Sequence, residues 1–279
     1  MAGAASGKNP ALITLLVDPQ RFAGGDGVEP GAGAAADTGA QVPLLIVEGE
    51  AYRHLFRARR LGVGERLRVA DGLGRARWGE IIRVGRSAAV VELGEPAAAN
   101  EPAWRLELLV ATLRPERASW LVEKATELGA GAVRFLNTER GPRSFGAGTA
   151  ERLRRVAAAA VEQCHRARCP EITGPHAFAE VAALTAAAGR RWLLDPAAAR
   201  RGFDSSPAVP EQSLLVGPEG GWSPAELEAL AAGGWQRVSL GPRVLRIETA
   251  VLAAASLLLL SLPNGGGGSW AEDVPTRRL

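Results

Sequence analysis

The chain has 279 residues, of which 47% are hydrophobic and 23% are charged. This composition is typical of a globular protein with one large domain or two ordinary ones, and it excludes a chain that is disordered throughout. No apolar run approaches the length of a membrane span, and residues 1–10 lack a signal-peptide pattern. We therefore expect a cytoplasmic protein that does not contact a membrane.

Positive charge is concentrated in the first third of the chain. Ten arginines and three acidic residues lie between residues 53 and 86, a local excess of seven positive charges. Guanidinium groups hold phosphates through two hydrogen bonds and stack on bases, so this cluster favours nucleic-acid binding. A solvated basic face without a partner is the alternative.

The two cysteines do not indicate a metal site. Cys164 and Cys169 flank His165, but no second cysteine pair is present to complete a tetrahedral zinc site. We expect reduced thiols and no bound metal.

The first part of the chain is predicted to be rich in strands. An apolar strand is expected over residues 11–17, and the Gly/Ala-rich stretch near residues 23–41 is expected to form a flexible loop. Further strand-like runs, separated by turns such as Asp71-Gly72, cover residues 44–47, 66–70, 77–84 and 88–93. We interpret residues 11–94 as a small β-barrel or sandwich, followed by a linker over residues 94–102.

From residue 103 to residue 262, strands and helices alternate. Helices are expected over residues 115–129, 150–167 and about 250–262, and strands over residues 104–113, 133–136, 192–194, 214–216 and 237–240. This alternation predicts an α/β domain with a mainly parallel sheet covered by helices. Residues 263–279 include four consecutive glycines and should form a flexible tail.

A glycine-rich loop follows the predicted strand at 214–216. The run Gly217-Pro218-Glu219-Gly220-Gly221 leads to Ser223, a good N-cap, and Glu226 would complete a capping box. Such a strand–loop–helix junction allows a ligand to approach the backbone, although a tight turn before a well-capped helix explains the same residues equally well. The pattern is neither a phosphate-binding P-loop nor a dinucleotide-binding motif.

A second unusual segment runs from Ser239 to Ala250. Arg246, Glu248 and Thr249 are polar residues at the start of a helix that is otherwise almost entirely Ala, Val and Leu. They could form an internal ion pair with a capping threonine, or they could present polar groups to a ligand. Because two glycine-containing loops follow two strands of one predicted sheet, we favour a ligand site.

Together these segments resemble the RsmE family of 16S rRNA methyltransferases, which belong to the knotted SPOUT class. The resemblance rests on residues 217–226 and 240–250 and continues upstream in the motifs Lys124–Gly129, Thr138–Arg140 and Glu162–Arg166. It covers roughly residues 43–262. Each motif alone is weak, but their common order is specific.

The resemblance implies a PUA-like β-barrel that helps to hold RNA, followed by an α/β knotted (SPOUT-like) methyltransferase domain. It implies S-adenosylmethionine-dependent methylation of N3 of a uridine in the 16S rRNA of the small ribosomal subunit. It also implies a homodimer formed through the methyltransferase domain. Two loops would bind the cofactor, through Leu215, Val216, Gly217, Pro218, Glu219, Gly220 and Gly221 and through Ser239, Leu240, Gly241, Val244, Leu245 and Arg246.

Catalysis at N3 requires stabilisation of negative charge on the uracil oxygens. Arg140, Arg166 and Arg246 are the candidates for this role, and Glu139 and Glu248 are candidate bases. The residues expected to bind RNA are Arg53, His54, Arg57, Arg59, Arg60, Arg140, Arg143, Gln163 and Arg166.

Two alternatives remain open. One is a SPOUT enzyme that acts on tRNA or on a ribose 2′-hydroxyl, and the other is a non-catalytic RNA-binding or ribosome-assembly factor. The motifs Thr138–Arg140 and Glu162–Arg166 favour the 16S rRNA enzyme because they are not general to the SPOUT class. A hydrolase is not supported, because no Gly-x-Ser-x-Gly motif is present.

Overall fold

The computed structural model describes residues 12–24, 42–142, 145–146, 148–203 and 209–260. Most of the predicted Gly/Ala-rich loop, the predicted tail at 263–279 and the candidate RNA-binding residue Arg143 lie outside these ranges. The chain divides into two units, with the boundary between Ala99 and Asn100. No helix among the described residues is long and apolar enough to cross a bilayer.

The first unit is built on a five-stranded sheet in the order β1-β3-β4-β5-β2. Its elements are β1 (Thr14–Leu16), α1 (Pro19–Gly24), β2 (Leu44–Glu48), α2 (Gly49–Tyr52), a π-helical turn (Arg53–Ala58), β3 (Arg66–Ala70), β4 (Ala76–Val84) and β5 (Ala88–Pro96). The strand pair β1–β3 is parallel and the other pairs are antiparallel. Strand β5 continues to Pro96, so the prediction that a linker begins at residue 94 is wrong by a few residues.

Alternation of side chains along the strands gives the first unit its core. Leu45 and Val47 of β2, and Leu67 and Val69 of β3, are buried at every second position. In strands, side chains at every second position share one face of the sheet, so these residues pack together.

The turn between β3 and β4 is stabilised by one buried carboxylate. Asp71 accepts hydrogen bonds from the backbone N–H groups of Leu73 and Arg75 at 2.8 and 2.9 Å and from Arg75 Nε at 2.6 Å. Burial alone would raise the pKa of Asp71, but the hydrogen bonds from Arg75 and from the two backbone groups outweigh it and lower the pKa. The Asp71-Gly72 turn signal in the sequence therefore reflects a real hydrogen-bonded turn.

The second unit is built on a six-stranded sheet in the order β11-β9-β10-β6-β7-β8, with every neighbouring pair parallel. Its elements are β6 (Arg105–Ala111), α3 (Pro115–Leu128), β7 (Ala132–Asn137), α4 (Thr149–Cys164), β8 (Glu171–Ala177), α5 (Val181–Leu184), β9 (Arg190–Leu194), β10 (Glu211–Val216), α6 (Pro224–Ala232), β11 (Gln236–Val238) and α7 (Ile247–Leu260). The predicted parallel sheet is confirmed, whereas β8 and α5 were not predicted.

The central strands of this sheet are buried on both faces. Leu214 of β10 packs into the larger apolar cluster, to which α3 and α7 contribute. The next residue, Leu215, packs into a second cluster with Trp222 and Leu230 on the other face. A continuous apolar run is the expected pattern for a strand covered on both faces.

Helix boundaries follow local backbone geometry. Helix α3 ends at Gly129, which has a φ of 103° in the left-handed region that glycine adopts freely. Helix α4 ends at Cys164 and not at the predicted residue 167, because His165 adopts the left-handed conformation at the C-cap. Helix α7 begins at Ile247, among the polar residues Arg246 to Thr249 that were predicted to open it.

Arg166 is a structural residue and not an exposed ligand-binding group. Its side chain is 4% exposed and pairs with Glu101 at 2.7 Å. Its Nη1 donates to the carbonyl oxygens of Thr126 and Ala130 at 2.8 and 3.1 Å. The guanidinium thus links the segment before β6, the end of α3 and the end of α4, and these contacts contradict the expectation that Arg166 acts in catalysis or on RNA.

We expect Arg166→Ala to lower the free energy of unfolding by about 3–5 kcal/mol, because it leaves Glu101 without its buried partner. Urea unfolding followed by circular dichroism measures this change. Arg168→Ala is the matched control, because Arg168 is exposed and only its backbone N–H group donates to Glu101 in the described structure. Equal stabilities of the two variants would contradict this role of Arg166.

Candidate functional site

A cavity of about 580 Å³ lies at the carboxyl ends of β9, β10 and β11 in the second unit. Its walls come from the loops that follow these three strands and from the start of α7. Carboxyl ends of parallel strands meet at one edge of a sheet, which is where α/β proteins bind ligands. The volume is in the usual range for a small-molecule site.

The loop after β10 forms one wall of the cavity. Of the residues predicted there to bind cofactor, the cavity is lined by Val216, Gly217, Pro218, Glu219 and Gly221. Leu215 and Gly220 do not line it. The Leu215 side chain lies in the core on the opposite face of the sheet, and Gly220 packs against Arg140.

The loop after β11 forms the facing wall. All six residues predicted for this loop line the cavity, namely Ser239, Leu240, Gly241, Val244, Leu245 and Arg246. The loop turns at Gly241, whose φ of 118° is open to glycine and not to most other residues. Ser239 Oγ accepts the Gly241 N–H at 3.2 Å and fixes this turn.

The loop after β9 was missed by sequence reasoning. Leu194, Asp195, Pro196 and Ala197 line the cavity. Asp195 accepts a hydrogen bond from Arg237 Nε at 2.6 Å and one from the backbone N–H of Ala197 at 2.8 Å. The predicted strand at 192–194 runs directly into Asp195-Pro196, which could have indicated a loop at the same edge of the sheet. The sequence does not reveal, however, that β9 lies between β10 and β11.

Arg117 of α3 connects the loop after β10 to the start of α7. Its Nη1 lies 3.2 Å from Glu219 Oε1, and its Nε lies 3.7 Å from Glu248 Oε1. Glu248 Oε2 is buried and has no hydrogen-bond partner among the described residues. The sequence left two interpretations of Glu248 open, namely that it forms an internal ion pair or that it contacts a ligand. The structure shows the ion pair, with Arg117 and not with Arg246.

The loop after β7 carries Glu139 and Arg140 beside the loop after β10. Both side chains are exposed. Arg140 Nη1 donates to the carbonyl oxygen of Gly220 at 3.4 Å. A Cβ on Gly220 would lie 3.2 Å from the Arg140 Cβ, so the absence of a side chain lets the two loops approach.

Arg246 lies at the start of α7 and its side chain is exposed. It lines the cavity, and in the part of the chain that the structure describes no ion pair or side-chain hydrogen bond holds its guanidinium. This guanidinium therefore occupies an exposed position on the cavity wall. Arg166, by contrast, does not line the cavity.

The predicted basic surface of the first unit lies on the π-helical turn and just after it. Leu55 and Phe56 are buried and anchor this turn in the core. The basic side chains around them are exposed, namely Arg53, His54, Arg57, Arg59 and Arg60. In the second unit, Gln163 is also exposed, near the end of α4.

Comparison with known protein families agrees with this architecture. Residues 99–259 match the model of an RNA methyltransferase domain, and residues 47–94 match the PUA domain of RNA methyltransferases. A ribosomal RNA small subunit methyltransferase E from Mycobacterium bovis is 34% identical over 230 residues, which cover 78% of this chain and 86% of that protein.

Solved structures share the fold. A methyltransferase from Legionella pneumophila, solved with bound SAM, superimposes with a TM-score of 0.71 at 26% identity, covering 90% of this chain and 98% of that one. A ribosomal RNA small subunit methyltransferase E from Neisseria gonorrhoeae, solved with S-adenosyl methionine, gives a TM-score of 0.73 at 21% identity with the same coverage.

The fold and the matched domains define an RNA methyltransferase of the knotted SPOUT class, with a PUA-like domain before the methyltransferase domain. Within that class, the chain belongs to the ribosomal RNA small subunit methyltransferase E family.

Proposed function

We propose that the protein transfers a methyl group from S-adenosylmethionine to N3 of a uridine in the 16S rRNA of the small ribosomal subunit, in the cytoplasm. The observation that supports this most directly is the cavity at the carboxyl ends of β9, β10 and β11. The two predicted loops that form its walls carry the family's motifs, and structures of related proteins have been solved with this cofactor bound.

The residues of the cavity fit such a cofactor. Gly217 has no side chain, so a ligand can approach the backbone of the loop there. A Cβ at this position would lie 2.6 Å from the Trp222 ring. Val216, Leu240 and Leu245 supply apolar surface for an adenine ring. Backbone N–H and C=O groups of such a loop can form hydrogen bonds with the polar atoms at the edge of a base. The residues that hold the cofactor would therefore come mainly from the two predicted loops.

When bound, S-adenosylmethionine supplies a methyl group on a positively charged sulfur. Transfer forms a bond from N3 to the methyl carbon, breaks the bond from that carbon to sulfur, and releases the N3 proton. Holding N3 in line with the methyl group supplies much of the rate enhancement. The protein must therefore fix the uracil and stabilise the negative charge on its oxygens.

Arg140 and Arg246 are the arginines that we propose for charge stabilisation, because both side chains are exposed, Arg246 lines the cavity, and Arg140 lies against Gly220 in the loop after β10. We propose Glu139 as the group that accepts the N3 proton, because its carboxylate is exposed beside Arg140. Glu248 is buried against Arg117, which fits a residue that orients the loops.

The basic turn of the first unit is our candidate for RNA backbone binding. Five basic side chains emerge from it in eight residues, and phosphate contacts hold RNA without reading its sequence. The exposed Gln163 of α4 would contact RNA from the second unit.

We also propose a homodimer through the methyltransferase domain. Trp120 of α3 is 47% exposed, and Leu257 and Leu260 of α7 are 44% and 67% exposed. Helices α3 and α7 pack against each other, so these apolar side chains lie on neighbouring helices. Exposed apolar surface of this kind marks protein interfaces.

The reaction is tested by incubating unmodified small ribosomal subunits with labelled S-adenosylmethionine and analysing the nucleosides by mass spectrometry. We expect 3-methyluridine. Label on a ribose or in tRNA would contradict the proposed substrate, and failure to bind the cofactor would favour the non-catalytic RNA-binding factor.

In the same assay, Arg246→Gln should lower kcat by about 10- to 100-fold, because it removes a charge that faces the developing anion. The control is Arg154→Gln, which alters an exposed arginine paired with Glu151 on α4. An Arg246→Gln enzyme with full kcat would contradict the role of Arg246.

Gly217→Ala should weaken the binding of S-adenosylmethionine by roughly tenfold, because the added methyl group forces the Trp222 ring out of the cavity wall. Isothermal titration calorimetry measures the dissociation constant. Gly146→Ala is the matched control, because a Cβ at Gly146 meets no atom within 4 Å. Unchanged affinity of Gly217→Ala would place the cofactor elsewhere.

Replacing both Leu257 and Leu260 with glutamate should convert the protein to a monomer, because each substitution places a charge in the apolar interface. Light scattering coupled to size exclusion measures the mass. Val63→Glu is the control, since Val63 is 64% exposed but lies in the first unit. A wild-type monomer, or a variant that stays dimeric, would contradict this interface.

A further inference from the structure

One buried carboxylate connects two of the loops at the carboxyl edge of the sheet. Glu226, at the first turn of α6, is only 6% exposed. Its Oε2 accepts the backbone N–H of Ser223 at 2.8 Å, and its Oε1 accepts the backbone N–H of Glu139 at 3.0 Å. Ser223 lies three residues before Glu226, whereas Glu139 lies 87 residues before it, in the loop after β7.

The helix cap alone does not require both oxygens. In a capping box, the side chain at the third helical position accepts one backbone N–H group, and either glutamate or glutamine can do this. Here the Ser223 N–H group uses one oxygen, and Ser223 Oγ in return accepts the Glu226 N–H at 3.3 Å. The second oxygen is therefore free to hold the loop after β7.

The contact with Glu139 determines where Arg140 lies. Arg140 follows Glu139 directly, and its Nη1 donates to the carbonyl oxygen of Gly220 in the loop after β10. The Gly220 backbone also lies against Arg140, because a Cβ on Gly220 would be 3.3 Å from the Arg140 carbonyl oxygen. The Glu226 carboxylate thus fixes the backbone that carries the Arg140 guanidinium beside the loop after β10.

Glutamine cannot replace this carboxylate in both contacts. Two N–H donors face the two oxygens of Glu226, and an amide group has only one oxygen to accept from them. If glutamine keeps the cap with Ser223, its NH₂ group faces the Glu139 N–H donor. A buried donor without an acceptor is costly, so the loop after β7 would move away.

We propose that Glu226 is a positioning residue for RNA methylation, acting through the loop that carries Glu139 and Arg140, in addition to capping α6. This inference rests on the proposed function, in which Glu139 accepts the N3 proton and Arg140 stabilises the uracil. Glu226 itself does not touch the substrate or the cofactor.

The test compares Glu226→Gln with Ser223→Ala. The first variant retains one acceptor for the cap and loses the link to Glu139, whereas the second weakens the cap and retains the link. We expect both to lower the melting temperature by a few degrees. Only Glu226→Gln should lower kcat on small ribosomal subunits, by roughly 10- to 100-fold, because small displacements of a positioned group have effects of this size. The dissociation constant for S-adenosylmethionine should stay within about threefold in both, because the cavity-lining loops are retained.

A mutant cycle with a Glu139→Gln/Arg140→Gln enzyme separates positioning from general destabilisation. If Glu226 acts through these two side chains, adding Glu226→Gln should make that enzyme no slower, because the three residues then share one contribution. Losses in kcat that multiply, or a Glu226→Gln enzyme as fast as Ser223→Ala, would overturn the proposal.

Hydrogen exchange tests the same link without any catalytic readout. The amide of Glu139 should exchange faster in Glu226→Gln than in the wild type and should stay protected in Ser223→Ala. Protection that is equal in the two variants would overturn the inference even if the enzyme methylates its RNA. Faster exchange together with a wild-type protein that makes no 3-methyluridine would instead retain the link and contradict the proposed function.

Discussion

Parallel pairing of β10 with β6 on one side and β9 on the other is the constraint on which the site depends. In a parallel sheet, every connection must return to the start of the next strand, so the loops at the carboxyl ends collect at one edge. The apolar residues of β10 are buried on both faces. The sheet therefore has a fixed position between two cores, and the loops extend from a rigid edge.

The loops at this edge are linked to one another by polar contacts. Glu226 joins the loops after β7 and β10, Arg117 joins the loop after β10 to α7, and Asp195 pairs with Arg237 at the end of β9 and the beginning of β11. Each contact links segments that are distant in sequence. Glu226 is buried, and because a buried polar group is costly when unpaired, its contact favours one arrangement of the loops over others.

Much of the fold could be predicted because it follows from local patterns. The apolar run Leu214-Leu215-Val216, the Ser223 cap and the glycine at the end of α3 predict a strand, a helix start and a helix end, and each is found where the sequence places it. Strand β8 was missed because Gly174 and Pro175 interrupt its strand pattern.

The candidate site was only partly predictable, because its geometry depends on strand order. The two glycine-containing loops were found from their motifs, whereas the loop at Asp195 requires knowing that β9 lies between β10 and β11. Arg166 shows the opposite failure. Its position in a family motif suggested a role in the reaction, but its partner Glu101 is 65 residues away, and only the fold reveals that the pair is buried.

The crystal structure of the protein grown with S-adenosylmethionine would test the central claim most directly, namely that the edge of the parallel sheet is a cofactor site. We expect electron density for the cofactor between the loops after β9, β10 and β11, with the methyl group directed toward Arg140 and Arg246. Density for the cofactor at another surface, with this cavity empty at saturating concentration, would contradict the account.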